Sequence, residues 1–203
     1  MRVLYYISKA LKKIQLPAIT SSEVHRTVKI CSRSHVVRSS IGKYSYIGSD
    51  CSVVNTRIGS FCSIADNVVI GGGHHPIDWV SSSPVFYSGA NVLKKNFATH
   101  DFSPNKETVI GNDVWLGRNS LIKSGVTIGH GSVVGMGAVL TKSIGEYEVW
   151  AGNPAKFIRK RFSDEISRQL LAIRWWEWGD DEIAEKSWMF NDVRYFVEAE
   201  KGV

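Results

Sequence analysis

One short segment of the chain, GGGHHPIDW at residues 71–79, concentrates side chains that can move protons. It places His74, His75 and Asp78 in a stretch that is also rich in glycine. Imidazole is the side chain best suited to act as a general base near neutral pH. The segment is therefore a candidate catalytic loop, and the alternative is a pair of histidines that only stabilise the loop.

The segment opens a long irregular stretch that continues to residue 109. This stretch also contains His100, Asp101 and several aromatic residues, namely Trp79, Phe86, Tyr87, Phe97 and Phe102. Loops of this length in a compact domain are uncommon, and they are often functional. The composition is too aromatic for a disordered linker. We predict a folded excursion over residues 71–109 that forms the wall of a pocket.

The elements that must position this excursion follow a six-residue period. An aliphatic residue recurs in two blocks, with one five-residue step, at Ile41, Ile47, Val53, Ile58, Ile64 and Ile70, then at Ile110, Leu116, Ile122, Ile128, Val134 and Leu140. This period matches neither a helix nor an ordinary strand. A hexapeptide period indicates a parallel β-helix, in which these residues point inward. Val24, Ile30 and Val36 extend it upstream as degenerate first repeats.

The pattern divides the chain into an N-terminal segment (1–21), a β-helix domain (22–145) with its inserted loop, and a C-terminal segment (146–203). Residues 1–16 predict a short amphipathic helix with Lys9, Lys12 and Lys13 opposite its apolar side, Val3, Leu4, Ile7, Leu11 and Ile14. Such a helix caps the first coil or, alternatively, binds weakly to a membrane surface. Pro17 ends it.

The C-terminal segment leaves the repeats through a Gly-Asn-Pro turn at residues 152–154. Ser163 is a plausible N-cap, because Asp164 and Glu165 follow it in the first turn. The helix continues through Ile166 to Ile173 and a Trp-rich stretch, and shorter helices follow Gly179. We expect these helices to cover the open end of the β-helix, where bare strand edges invite aggregation.

Charge and composition restrict the function classes. The net charge of +6 favours an anionic partner such as a phosphate-bearing cofactor. The chain lacks a run of about 18 apolar residues and a signal peptide, which leads us to expect a cytoplasmic protein. Cys31, Cys51 and Cys62 have no metal-ligand spacing and are expected to pack in the core. Nucleic-acid binding is not expected, since no recognition element accompanies the basic residues.

The hexapeptide register, the inserted GGGHHPIDW and the exit sequence VWAGNPAKFIRKR together resemble the hexapeptide-repeat (left-handed β-helix) acyltransferases. The branch most similar contains xenobiotic acetyltransferases and polysaccharide O-acetyltransferases, and the similarity covers about residues 24–178. The resemblance implies an all-β fold with a left-handed coil and a homotrimer with active sites between neighbouring subunits. It also implies acetyl-CoA as co-substrate, with no metal.

The resemblance assigns roles to individual residues. His75 matches the catalytic base, and the acceptor hydroxyl is expected to attack directly rather than through an acyl-enzyme. Candidate acceptor-binding residues are His74, Asp78, Trp79, Phe86, Tyr87 and Asp101. Positions matching cofactor contacts are Trp115, Gly117, Arg118, Met136, Ala138, Thr141, Lys142, Lys156 and Arg159, with Lys160 and Arg161 as possible assistants. Alternatively, the basic run at 156–161 is a solvated helix face.

The acceptor implied is a polysaccharide or sugar precursor, or alternatively chloramphenicol or a streptogramin. Two other functions share the fold. A γ-type carbonic anhydrase would need three histidine ligands for zinc, and the spacing of His75, His100 and His130 does not supply the close pair. A non-enzymatic trimeric scaffold would not bind acetyl-CoA.

Overall fold

The computed structural model describes residues 2–200, apart from the side chains of Arg2, Val3, Tyr5, Ser8, Lys12 and Lys13. The apolar and basic positions predicted at Val3, Lys12 and Lys13 therefore lie outside the described side chains. The helices are α1 (Arg2–Ile14), α2 (Asp164–Ile173), α3 (Asp180–Lys186) and α4 (Val193–Ala199). Within the described residues, no helix is long and apolar enough to cross a bilayer.

The strands are short and follow one another at regular intervals. They are β1 (Ala18–Thr20), β2 (Glu23–Val24), β3 (Lys29–Ile30), β4 (His35–Val37), β5 (Ser40–Ile41), β6 (Tyr46–Ile47), β7 (Ser52–Val54), β8 (Thr56–Ile58), β9 (Ser63–Ile64), β10 (Val69–Gly71), β11 (Thr108–Ile110), β12 (Trp115–Leu116), β13 (Leu121–Ile122), β14 (Thr127–Ile128), β15 (Val133–Val134), β16 (Val139–Leu140), β17 (Glu148–Ala151) and β18 (Lys156–Lys160).

Successive strands join three different sheets, so the chain winds as a three-sided prism. The sheet orders are β1-β4-β7-β10-β13-β16, β2-β5-β8-β11-β14 and β3-β6-β9-β12-β15-β17-β18. Neighbours pair in parallel, except that β17 and β18 pair antiparallel. The parallel β-helix predicted from the repeat is confirmed. It begins with β1 at Ala18, inside the segment expected to precede it.

The predicted aliphatic positions form the core. All twelve are at most 3% exposed, and Val36 is fully buried with Val24 and Ile30 packed against the same cluster. Strand register explains the five-residue step, because Val36 pairs with Val53 and Ile41 pairs with Ile58. The five-residue step from Val36 to Ile41 therefore stacks directly on the step from Val53 to Ile58. No side chain moves from the inside of the prism to the outside. Cys51 and Cys62 are buried among these residues, as expected.

Prism corners require a left-handed backbone, and this chain often places a side chain there rather than glycine. Arg33, Asp50 and Asn67 occupy one such corner on successive coils with φ of 61°, 61° and 59°. Asn and Asp tolerate this region because their short polar side chains bond locally. Arg33 and Asp50 also form an ion pair across the stacked turns. At this corner the ion pair thus links one coil to the next.

The apolar face of the N-terminal helix is exposed. The helix forms as predicted, yet Leu4, Ile7, Leu11 and Ile14 are between 50% and 71% exposed. Those side chains belong to neither apolar cluster of the described protein. The expectation that this face caps the first coil is therefore wrong for the single chain.

The exit from the prism is a β-hairpin. β17 and β18 are joined through Gly152 and the cis Asn153–Pro154 peptide, which confirms the predicted turn. Trp150 and Ala155 join the central core, so this hairpin covers the last coil. Within the basic run 156–161, residues 156–160 form the exposed edge strand β18, so the alternative prediction of a helix face is wrong.

The C-terminal helices lie against a lateral corner of the prism. Ser163 Oγ caps α2 by accepting from the Ile166 N–H at 3.3 Å, as predicted. The Trp-rich stretch reaches several coils, since Trp175 packs on Phe61 with ring centroids 4.8 Å apart and Trp176 stacks on His130 at 4.8 Å. The expectation that these helices cover the open end is therefore wrong, because the exit hairpin already buries the apolar side chains there.

Candidate active site

The inserted loop folds back on itself and forms an open cavity. An antiparallel bridge between Gly73 and Asn105 and a parallel bridge between Tyr87 and His100 hold it together. The cavity has a volume of about 690 Å³ and is lined by Asp78, Trp79, Val80, Ser81, Phe86, His100 and Asp101. The prediction of a folded excursion that walls a pocket is confirmed.

Aromatic rings shape this excursion cavity. Trp79 meets the edges of Tyr87, His100 and Phe102 at centroid distances of 6.4, 5.6 and 5.7 Å. Tyr87 is only 7% exposed and does not line the cavity, so it supports Trp79 from behind. Edge-to-face contacts of this kind fix ring orientation. Of the predicted acceptor residues, Asp78, Trp79, Phe86 and Asp101 share the cavity wall.

The two adjacent histidines have different environments. His74 is half-buried, with Nε2 at 3.3 Å from the Ser124 carbonyl oxygen, and it ties the excursion to a neighbouring coil. His75 is exposed, with Nδ1 at 2.9 Å from the carbonyl oxygen of Ser82. A carbonyl only accepts, so Nδ1 of neutral His75 carries the proton and Nε2 keeps its lone pair. The bond to Ser82 therefore fixes the tautomer of neutral His75, and Ser82 directly follows Ser81 of the cavity wall.

A second cavity lies on the face of the seven-stranded sheet. Its volume is about 390 Å³ and it is lined by Phe61, Ser63, Asp113, Val114, Trp115, Val133, Val149, Arg159 and Arg161. Trp115 is 53% exposed on β12, and Arg159 reaches the same cavity from β18. The structure thereby brings together two residues predicted to contact the cofactor, although 44 positions separate them in the chain.

Several other predicted cofactor positions have structural tasks of their own. Ala138 is fully buried in the core, so its side chain is not available to a ligand. A Cβ on Gly117 would lie 2.5 Å from the Met136 nitrogen, so this glycine is required for coil stacking. Arg118 lies 3.4 Å from Asp66, whereas Met136 is 81% exposed.

The remaining predicted cofactor positions separate into exposed and paired residues. Thr141, Lys142 and Lys156 are exposed, and Lys142 Nζ lies 5.1 Å from the Trp150 ring centroid. Lys160 pairs with Asp164. Arg161 donates to Asp113 Oδ2 at 3.0 Å and to the Gly131 carbonyl at 2.6 Å. These bonds hold Arg161 in the fold, so it is a weaker candidate for a phosphate contact than Arg159.

Comparison with known proteins identifies the family. The bacterial transferase hexapeptide (six repeats) model matches residues 107–142. A chloramphenicol acetyltransferase from Escherichia coli is 38% identical over 165 residues, which cover 71% of this chain and 78% of the relative. A probable macrolide acetyltransferase from Lysinibacillus sphaericus is 41% identical over 142 residues, covering 69% and 76%. The chain belongs to the hexapeptide-repeat acetyltransferases.

A solved structure shares the fold of this acetyltransferase. AntD, an N-acyltransferase from Bacillus cereus in complex with dTDP and 3-hydroxybutyryl-CoA, superposes with a TM-score of 0.52 at 17% identity. The match covers 82% of this chain and 95% of AntD. Family membership confirms the predicted resemblance. It also decides between acetyl transfer and the two alternatives on the same fold, the γ-type carbonic anhydrase and the non-enzymatic scaffold.

The acetyltransferase also has cavity residues that the motifs did not single out. Val80, Ser81 and His100 line the excursion cavity, and Phe61, Ser63, Val133 and Val149 line the sheet-face cavity. His100 was visible as one of the three histidines of the excursion. The outward residues of the sheet face gave no signal, because they alternate with core residues and differ in type. Within residues 2–200, no three His, Cys, Asp or Glu side chains converge as metal ligands.

Proposed function

We propose that the protein transfers the acetyl group of acetyl-CoA to a hydroxyl of a sugar unit, in a polysaccharide or its precursor, with His75 as general base. The observation that carries this proposal is the excursion cavity, where aromatic rings and two carboxylates surround a space. His75 is not one of its lining residues, but its ring bonds to Ser82, which follows Ser81 of the cavity wall. Acetyl-CoA is the donor expected for a hexapeptide-repeat acetyltransferase. AntD supports this use of the fold, as it holds 3-hydroxybutyryl-CoA.

His75 would take the acceptor proton at Nε2. The Ser82 carbonyl accepts from Nδ1–H and stabilises the imidazolium that forms. The acceptor oxygen then attacks the thioester carbonyl, forming the C–O bond as the C=O electrons move onto oxygen. When the tetrahedral intermediate collapses, the C–S bond breaks, and the imidazolium returns its proton to the sulfur of coenzyme A. The acetyl ester and free coenzyme A are the products.

The cavity chemistry supports a carbohydrate acceptor. A sugar ring presents hydroxyls at its rim and apolar C–H groups on its faces. Asp78 and Asp101 supply acceptors for the hydroxyls, while Trp79 and Phe86 supply flat apolar surfaces. Chloramphenicol is the second candidate acceptor, because the Escherichia coli relative carries that name and is 38% identical. An aromatic ring of that size would also stack on Trp79.

We propose a homotrimer whose active sites lie between subunits. In the single chain the excursion cavity and the sheet-face cavity share no lining residue. Transfer requires the acceptor hydroxyl and the thioester within contact distance. Pairing the excursion of one subunit with the sheet face of its neighbour would satisfy this requirement and would cover Trp115 and Met136, which are 53% and 81% exposed.

His75→Ala tests the base. We expect turnover to fall at least about a hundredfold, because proton abstraction is lost. His35→Ala is the matched control, since His35 is an exposed histidine on β4, away from both cavities. Turnover is followed as thiol release from acetyl-CoA, and light scattering confirms that both variants keep the wild-type mass. Turnover of His75→Ala near that of the control would remove His75 from the mechanism.

An acceptor panel tests the substrate class with the wild-type protein. Nucleotide sugars, oligosaccharides and chloramphenicol are each added to acetyl-CoA, and acceptor-dependent thiol release is measured. Acceleration by a saccharide supports the proposal, with the ester located by mass spectrometry. Acceleration by chloramphenicol alone would establish the second candidate and overturn the sugar assignment.

A further inference from the structure

The N-terminal helix presents an uncovered apolar stripe. Leu4, Ile7, Leu11 and Ile14 recur at intervals of three and four, which places them on one face of α1. Their exposed fractions are 71%, 50%, 58% and 71%, and Leu16, just after the helix, is 80% exposed. An apolar stripe of this length on a surface marks an interaction site.

The charges of the same helix have one sign. Its charged residues are Arg2, Lys9, Lys12 and Lys13, and the first acidic residue of the chain is Glu23. The helix therefore supplies four of the six excess positive charges of the whole protein. Most of the net charge is thus concentrated in the helix whose apolar stripe is exposed.

We propose that α1 docks the enzyme on an anionic lipid bilayer, lying in the plane of the interface with its apolar stripe among the acyl chains. Helices that combine an apolar face with a face rich in Lys and Arg bind membranes in this way. The negative surface potential of phosphatidylglycerol or similar lipids attracts each added Lys or Arg. This docking surface does not depend on which acceptor the enzyme uses.

Charge favours a bilayer over a second copy of the chain. A contact between two copies of α1 would bring together two helices that carry only positive charges, and these repel each other at long range. The position of α1 is also suitable, because it leads directly into β1 at the end of the prism. The excursion leaves from β10, three strands further along the same sheet, or about 14 Å at the usual strand spacing. Docking would hold the excursion cavity close to the membrane.

Vesicle co-sedimentation of the full chain tests the proposal. One set of vesicles contains equimolar phosphatidylglycerol and phosphatidylcholine, and the other contains phosphatidylcholine alone. We expect binding to the anionic set and release at high salt. Ile7→Glu combined with Leu11→Glu should weaken the partition coefficient at least about tenfold, since both changes place charge in the apolar stripe.

The matched control is Val92→Glu combined with Leu93→Glu. It adds the same charge at apolar residues of the excursion that are 92% and 61% exposed, and its binding should stay within about twofold of wild type. Thermal unfolding checks that all three proteins are folded. The proposal is overturned if the Ile7/Leu11 variant binds anionic vesicles as strongly as wild type does. It is also overturned if wild type does not bind them. A reduced oligomer mass of that variant without vesicle binding overturns it too, because it would show that a second copy covers the stripe.

Discussion

Arg161→Ala should weaken the attachment of the exit segment to the prism. The guanidinium donates to the Gly131 carbonyl at 2.6 Å and to Asp113 Oδ2 at 3.0 Å, and it lies 5.1 Å from the Phe162 ring centroid. The substitution removes all these contacts and leaves the Asp113 carboxylate without its cation. Both residues line the sheet-face cavity, so the change also alters the wall that carries Arg159.

The expected loss of stability follows from the burial of the Arg161–Asp113 ion pair. Breaking a buried ion pair by removing one partner costs about 3–5 kcal/mol. The side chains of Arg161 and Asp113 are 29% and 31% exposed, so solvent screens part of the interaction. We therefore expect a loss of about 2–3 kcal/mol in the free energy of unfolding. For a domain of this size that loss lowers Tm by about 5–10 °C.

The pKa of Asp113 determines how the stability of Arg161→Ala changes with pH. Burial raises the pKa of Asp113, and Arg161 opposes this rise. Removing Arg161 raises the pKa further. An acid with a raised folded-state pKa stabilises the fold at low pH, and this contribution is lost as pH rises from the unfolded-state pKa through the folded-state pKa. Arg161→Ala should therefore lose stability relative to wild type as pH rises from about 4.

Thermal unfolding followed by tryptophan fluorescence measures these effects, at one protein concentration because self-association makes Tm depend on concentration. The control is Arg161→Ala combined with Asp113→Asn, which removes the unpaired charge. It should be more stable than Arg161→Ala at neutral pH by about 1 kcal/mol or more and should lack the additional pH dependence. An unchanged Tm for Arg161→Ala, or equal pH dependence in the two variants, would refute the reasoning.

Three shorter predictions concern stacking, thiols and the cofactor. Gly117→Ala should lower the free energy of unfolding in urea by about 1–3 kcal/mol, because the added Cβ would lie 2.5 Å from a backbone nitrogen of the next coil. An unaltered free energy of unfolding would contradict the role of Gly117 in coil stacking. Burial raises the pKa of Cys62 to about 12, so at mildly alkaline pH this thiol should react with a disulfide reagent more slowly than half-buried Cys31. Equal reaction rates of the two thiols would contradict the burial of Cys62. Lys156→Ala combined with Arg159→Ala should raise KM for acetyl-CoA more than KM for the acceptor, and equal effects would return both residues to a solvated surface role.

The prism could be predicted from residue spacing alone. Twelve aliphatic residues at a fixed period leave few ways to bury them together, and the parallel β-helix buries every one. The exit turn and the Ser163 cap could also be predicted from the sequence, since the geometry of each depends only on neighbouring residues. The excursion could be delimited only by the loss of the period, because its own residues have no repeat.

The arrangement of the cavities required the tertiary structure. Trp79, Phe86 and Asp101 lie around one cavity because bridges such as Tyr87 to His100 close the excursion, and no local pattern encodes those pairings. Trp115 and Arg159 meet because β12 and β18 belong to one sheet. Likewise, the orientation of His75 depends on the Ser82 carbonyl, seven residues away across a turn.

The sequence by itself therefore determined the coil, its core and the identity of the candidate base, since each depends on periodicity or on a short motif. Tertiary structure decided which outward residues share a cavity, which basic residues remain available, and where the helices lie. Arg161 illustrates the physical reason. It is one of several basic residues in the exit run, yet only its packing against Asp113 and Gly131 commits it to the fold.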